Sequence, residues 1–341
     1  MNTTRISAAV LVALAMVACS RTETPPPAAE AATPPPPAAP PAEIVIPGER
    51  ITPESLTSTA DGHVIIGSIG AGTIWRAAPG AGTAEAWIQR GTDGMQGVFG
   101  VFADDSTGTL YACSGSFGAP PAAGAPPPPP STLHTFDLAT GAPKGKYPLP
   151  DAGGFCNDIA VDAAGNVYIT DTNNMRVDRL AKGGTKLETW AGKDGSLGAK
   201  GGVLDGISVL GDRVLVNALM TSKLFAVPIA ADGAAGKAVE IKTDRTVERP
   251  DGMRSFGASD LLVVEGGGSG RLARVTITGD TGKVVTVKEG FPDGPVAVTV
   301  VGTTAYVLEG QLGLLLNPPK PGERPPPSKP YKATAVEVGA P

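Results

Sequence analysis

Four oxygen-bearing side chains occupy the same place in a repeated pattern: Glu54, Asn157, Asp205 and Asp251. Each opens a short apolar run. A further copy offers Asp293 immediately before Gly294. One Asp before a Gly is an ordinary turn former, but turn chemistry does not account for polar openings at equivalent positions of four repeats. Carboxylate and amide oxygens are the donors that a hard divalent cation such as Ca²⁺ takes. Several carboxylates crowded at one spot repel one another unless a cation or a proton intervenes. Two common hydrolytic chemistries lack their parts. The chain has two histidines, His63 in an Asp-Gly-His turn and His134 in an outer-strand position. A Ser-His-Asp triad therefore has no suitable base, and no His or Cys cluster exists to hold zinc. The expected cofactor is one divalent ion, with calcium favoured over zinc or magnesium.

These residues need a scaffold that brings distant segments together, and the repeats supply one. Copies begin at Glu54-Ser55-Leu56, Gly97-Val98-Phe99, Asn157-Asp158-Ile159, Asp205-Gly206-Ile207, Asp251-Gly252-Met253 and Gly294-Pro295-Val296. Each continues through a Gly/Asp turn into a second apolar run, as in Val64-Ile65-Ile66-Gly67 or Leu261-Leu262-Val263-Val264. Runs of four to six apolar or β-branched residues bounded by such turns are strand signals. Repeats spaced by about 40 to 50 residues indicate a radial array. The pattern predicts an all-β fold, a six-bladed β-propeller. The sixth copy lacks its last strand, and Glu43-Ile44-Val45-Ile46 is expected to supply it, closing the ring and removing an open edge.

In this topology the first strand of each blade starts at one mouth of the channel, and the loops between second and third strands return there. Two Pro-rich insertions, Gly118 to Pro130 and about Gln311 to Pro330, fall in such loops. They are either a rim over the mouth or padding away from any ligand. Cys113 and Cys156 fall at similar heights on neighbouring blades, as a disulfide or as two buried thiols. Trp75, Trp87 and Trp190 are expected to pack between blades, and Arg271 and Arg274 to lie on third-strand surface or rim.

Pro53-Glu54-Ser55, Asn157-Asp158 with the following Val161-Asp162-Ala163-Ala164-Gly165-Asn166-Val167-Tyr168, and Pro250-Asp251-Gly252-Met253 resemble the regucalcin, gluconolactonase and luciferin-regenerating-enzyme propellers. The resemblance spans about residues 50 to 310. It implies that Glu54, Asp205 and Asp251 bind one divalent metal. It also implies that Asn157 lies beside the metal, touching water or substrate, and that Asp251 acts as general base. Asp158 and Asp293 are assigned with Asn157 to the substrate side. Where the family has Asn in the fourth blade, this chain has Asp205, one more negative charge. The implied reaction is hydrolysis of a lactone or related ester. Two other readings stand beside it. Asp171-Thr172-Asn173-Asn174-Met175-Arg176-Val177 also looks like an NHL repeat, whose propellers serve as non-catalytic ligand- or protein-binding modules, and the mouth could hold calcium structurally.

The first residues fit an export signal: Arg5, then an apolar run from Ile6 to Val17 that is too short for a permanent span. It ends in Met16-Val17-Ala18-Cys19, which resembles a lipobox and implies cleavage before Cys19 and acylation of its sulfur. The alternative is an ordinary secretory peptide with an incidental Cys. The expected organisation is a signal peptide at 1–18, a Pro/Ala-rich tether at 19–42 of extended polyproline type, and a propeller at 43–341. The expected location is the cell envelope, lipid-anchored and facing the periplasm, with Ser20 favouring the outer membrane by analogy. A formal net charge of −5, with no dense basic stripe, argues against a nucleic-acid partner. A monomer acting on a small molecule is expected.

Overall fold

The computed structural model describes residues 40–117, 129–199, 201–317, 319 and 323–341. The expected signal peptide, Cys19, nearly all of the tether and most of the blade-two insertion lie outside these residues. The strands belong to one compact unit, Ala38–Pro341. The first strand, β1 (Glu43–Ile46), is followed by blade one: β2 (Pro53–Ser58), β3 (Val64–Ser68), β4 (Ile74–Ala77) and β5 (Glu85–Ile88). Blade two is β6 (Gly97–Asp104), β7 (Thr109–Gly115), β8 (Thr132–Asp137) and β9 (Pro143–Pro148). Blade three is β10 (Cys156–Val161), β11 (Val167–Asp171), β12 (Arg176–Leu180) and β13 (Leu187–Ala191). Blade four is β14 (Leu204–Leu210), β15 (Arg213–Ala218), β16 (Lys223–Pro228) and β17 (Val239–Thr243). Blade five is β18 (Pro250–Phe256), β19 (Asp260–Glu265), β20 (Arg271–Thr278) and β21 (Thr281–Glu289). Blade six has β22 (Pro295–Val301), β23 (Thr304–Glu309) and β24 (Tyr331–Glu337), and β1 is its outer strand.

Each blade is an antiparallel meander, and the six innermost strands touch in sequence around a ring, with β22 meeting β2. Closure comes from β1 on β24, in register from Glu43↔Thr334 to Ile46↔Tyr331. Ile44 and Ile46 are 2% and 1% exposed, so the closing strand is held by buried apolar area as well as by its ladder. Blades four and five share a further seam, a short parallel pairing of outer strands β17 and β21. The core is a set of layers between blades. Ile65, Val98, Val101 and Leu110 fill the space between blades one and two, and Ala160, Tyr168, Val214 and Val216 fill that between three and four. Sheets buried on both faces need near-continuous apolar strands, which is why Val64–Ser68 and Asp260–Glu265 are almost wholly buried.

A helical turn, α1 (Gly313–Leu316), sits in the blade-six insertion. It is too short to have shown a helical period in sequence.

Candidate metal centre

Every innermost strand breaks register just after its start. The irregularities fall between Pro53 and Ser55, Val98 and Val101, Cys156 and Ile159, Leu204 and Ile207, Pro250 and Met253, and Pro295 and Ala297. A bulge re-aims a side chain that regular pleating would direct into a blade interface. The first bulged residues are Glu54, Phe99, Asn157, Asp205, Asp251 and Val296, one per blade. Four of the six are polar.

Three of them meet. One oxygen from each of Glu54, Asp205 and Asp251 lies within 4.8 Å of the other two. The residues are 8%, 7% and 7% exposed. Asn157 is 6% exposed and its side chain donates to Asp205. Its Oδ1 is buried with no hydrogen-bond partner. A buried carbonyl oxygen left unpaired beside three carboxylates is a poor arrangement for the protein alone and a suitable one for a hard cation. The donor set therefore fits a divalent ion.

The local backbone is strained where the carboxylates are presented. Two residues before each of Glu54, Asp205 and Asp251 stands a non-glycine residue in the left-handed region: Thr52 at φ 47°, Val203 at φ 59° and Arg249 at φ 44°. For β-branched Thr52 and Val203 this is costly, on the order of 1–3 kcal/mol each. Each kink is held by one amide from beyond the second strand: Ile69 to the Thr52 carbonyl, Leu219 to Val203 and Gly266 to Arg249. The carbonyls of two carboxylate residues are also tied to the preceding blade. Thr170 Oγ1 donates to Asp205 O at 2.7 Å, and Asn217 Nδ2 to Asp251 O at 2.6 Å. Gly206 permits this close packing, since a Cβ there would lie 2.4 Å from Asp251 O.

Electrostatics follow from burial. Glu54 is pushed well above the usual carboxylate range, first by burial and then by Asp205 and Asp158. Asp251 is likewise raised, by burial, Asp205 and Glu54. Burial and Asp158 push Asp205 up to about 7, against the hydrogen bonds from Asn157 and Asp251. Without a cation the three carboxyls share protons, as close carboxyl pairs do. Asp251 Oδ1 also accepts from its neighbour, the Gly252 amide, at 2.9 Å.

Two residues assigned to the substrate side are engaged elsewhere. Asp158, 5% exposed, pairs with Arg254 Nη1 at 2.9 Å and accepts from Ile207 N at 3.2 Å. Its charge is held inside the ring, so it is not offered to a ligand at the mouth. Asp293 is ion-paired with Lys329 and is not among the converging oxygens. In blade six the polar residue stands three positions before the bulge, and Val296 occupies the equivalent place there.

Arg254, which sequence reasoning passed over, spans the channel from blade five. Besides Asp158 in blade three, its Nη2 donates at 3.3 Å to the carbonyls of Leu56 in blade one and Val101 in blade two. Its charge acts on Glu54 and favours that residue's ionised form. Its position three residues after Asp251, on an innermost strand, was the available signal. Cys113, opposite the blade-two bulge, is disulfide-bonded to Cys156, with Cα atoms 5.2 Å apart. That bond joins blades two and three next to Asn157. Trp75 packs partly buried against the core between blades six and one, Trp190 lies edge-on to Tyr168 at 4.8 Å, and Arg76 stacks on Trp87. Arg271 pairs with Glu265 and Glu248, and Arg274 covers Phe256.

Residues 154–178 match the NHL repeat model. No curated protein sequence matches the chain. Among solved structures, a gluconolactonase from Xanthomonas campestris aligns over 85% of this chain and 87% of its own, at 14% identity and a TM-score of 0.57. The calcium-binding protein regucalcin from Agrobacterium tumefaciens aligns over 87% and 97%, at 14% identity and TM-score 0.55. Virginiamycin B lyase from Staphylococcus aureus aligns over 78% and 80%, at 17% identity and TM-score 0.53. At such identities the likeness concerns the fold alone: this chain is a β-propeller of six blades, closed by β1.

Proposed function

We propose that the protein is a divalent-cation-dependent hydrolase of lactones or related esters, working at the channel mouth. The observation that carries this reading is the convergence of Glu54, Asp205 and Asp251 beside the unpartnered Asn157 Oδ1. Those four residues would hold the ion, and calcium suits an all-oxygen set. A bound cation supplies Lewis acidity toward a carbonyl oxygen and lowers the pKa of water. The chain supplies the rest. Asp251 is the general base: its backbone carbonyl is fixed by Asn217 and its Oδ1 by the Gly252 amide, which hold the carboxylate in place for proton transfer. Asn157 orients substrate or water by donating and accepting through one amide. Asp205 carries the added charge, offsetting the cation more fully than an amide would. Arg254 and Asp158 sit as a buried ion pair that fixes blades one, two, three and five around the site.

The protein is proposed to be exported and anchored by acylation at Cys19, with the Pro/Ala-rich segment as tether. The match to an NHL repeat favours a second reading, a binding module without turnover. Hydrolysis of lactones and aryl esters, measured with and without chelator in the wild type and Asp251→Asn, separates the two. The hydrolase reading requires turnover that chelator abolishes and calcium restores, and that Asp251→Asn removes. A cation-loaded protein with no turnover on any ester supports the binding module.

A further inference from the structure

The two bulged residues that are not polar are Phe99 and Val296, 3% exposed each. Phe99 stands between Glu54 and Asn157 in the ring, and a Cβ on the adjoining Gly100 would lie 2.3 Å from Asn157 O. An aromatic cluster rises from it. Phe155, at the entry of β10, meets Phe99 edge-on at 4.6 Å between centroids, and Phe117, just beyond β7, meets it edge-on at 5.9 Å. Leu312 and Leu315, at the start of the blade-six insertion and in α1, pack against the same cluster. An element of blade six thus reaches apolar groups of blades two and three, on the side where the carboxylates open.

The rim above is also apolar. Among the described residues four large hydrophobic side chains are exposed, and three lie between the second and third strands of a blade: Phe117 at 47%, Met220 at 53% and Leu316 at 60%. The register Gly97↔Gly115, Leu204↔Ala218 and Pro295↔Glu309 puts the ends of the second strands of blades two, four and six beside the starts of the first, the end at which the carboxylates stand. Phe117, Met220 and Leu316, which follow those strand ends, are therefore at the mouth. An exposed aromatic costs free energy that burial against an apolar ligand recovers. A polyhydroxylated ligand would instead leave its hydroxyls unpaired against Phe117, Phe155 and Leu315.

We infer that the site takes lactones or esters whose acyl part is aromatic or a long alkyl chain, in preference to sugar lactones. The carbonyl would lie toward Asn157 and the carboxylates, and the apolar part on the shelf of Phe99, Phe117, Phe155 and Leu315. This inference rests on the hydrolase reading for its reaction, but not for its binding chemistry.

The test compares 3-isochromanone and δ-decalactone with glucono-δ-lactone in calcium-loaded wild type, Phe117→Ser and Leu315→Ser. Calorimetry with the non-hydrolysable lactam analogue of 3-isochromanone runs in parallel. Phe117 is half-exposed, so its substitution leaves the fold in place. The expected result is a higher kcat/KM for the two apolar lactones, with the ratio of apolar to sugar lactone falling about tenfold in each variant. Lactam binding should weaken by a similar factor. Turnover that favours glucono-δ-lactone overturns the inference and leaves the hydrolase standing. Lactam binding that weakens in Phe117→Ser, with no turnover of any lactone, upholds the apolar site and overturns the hydrolase. Absence of lactam binding, or binding indifferent to both substitutions, overturns the inference whatever the turnover.

Discussion

Binding of a cation to the mouth should expel protons, and the number follows from the geometry. With oxygens no farther apart than 4.8 Å, each pair of ionised carboxylates repels by about 3.5 kcal/mol or more at an effective dielectric constant of about 20. Full ionisation of three is therefore opposed by roughly 10 kcal/mol, before the cost of burial. Consistently, Asp205 is pushed up to about 7, and Glu54 and Asp251 are raised well above the usual range. Near pH 6.5 the cation-free site should hold about one to two protons that the loaded site cannot keep. Calcium affinity should then rise about ten- to a hundredfold per pH unit between pH 5.5 and 7. Calorimetric heats should change with the ionisation enthalpy of the buffer by a matching proton count. The sign for stability runs the same way. Because these carboxyls have folded-state pKa values above their unfolded values, their contribution in the chelated protein is fully present below about pH 4. It is lost as pH rises through their folded-state values, about 7 for Asp205. Calcium should abolish that loss. Calcium binding with pH-independent affinity and no buffer-dependent heat would refute the reasoning.

Other outcomes follow from the same structure. Arg254→Met leaves Asp158 buried and unpaired, which should cost about 3–5 kcal/mol in denaturant unfolding. It also removes a positive charge facing Glu54, so the fraction that remains folded should bind calcium more tightly; generic damage would weaken binding. Replacing both Cys113 and Cys156 by Ser opens a crosslink of sequence separation 43, with an expected loss of about 4 kcal/mol in the chain-entropy model, read from unfolding midpoints. Ile46→Ala in the closing strand, at 1% exposure, should cost about 2–5 kcal/mol, where an open, unclosed ring would register almost none.

Much of this architecture was legible in the chain. Inner strands buried on both faces read as continuous apolar runs between Gly/Asp turns, and Glu43–Ile46 declared itself as the missing strand because blade six otherwise ended one short. Glu54, Asp205 and Asp251 were visible because repetition aligned them. What repetition hid was the bulge. Without the register shift between Pro295 and Ala297, the polar Asp293 looked equivalent to the other entries, whereas the ring position belongs to Val296. Asp158 looked like a ligand-facing acid because nothing local signals its partner, Arg254, 96 residues away. The left-handed kinks at Thr52, Val203 and Arg249 had no signature either, since glycine, the usual marker of that conformation, is absent from those positions. Phe99 gave no signal in the chain beyond its place in the second repeat, because the aromatic neighbours that distinguish it, Phe117 and Phe155, are known only in space.

The central claim is that Glu54, Asp205 and Asp251 hold one cation together. Its most direct measurement is the calcium content and titration of the purified protein beside the Glu54→Gln/Asp205→Asn/Asp251→Asn variant. The account predicts one tightly bound ion per chain in the wild type and none in the variant. It further predicts that the variant, freed of mutual repulsion, stays folded and withstands chelator better than the wild type. A wild type without a tight site, or a variant that binds calcium equally well, would contradict it.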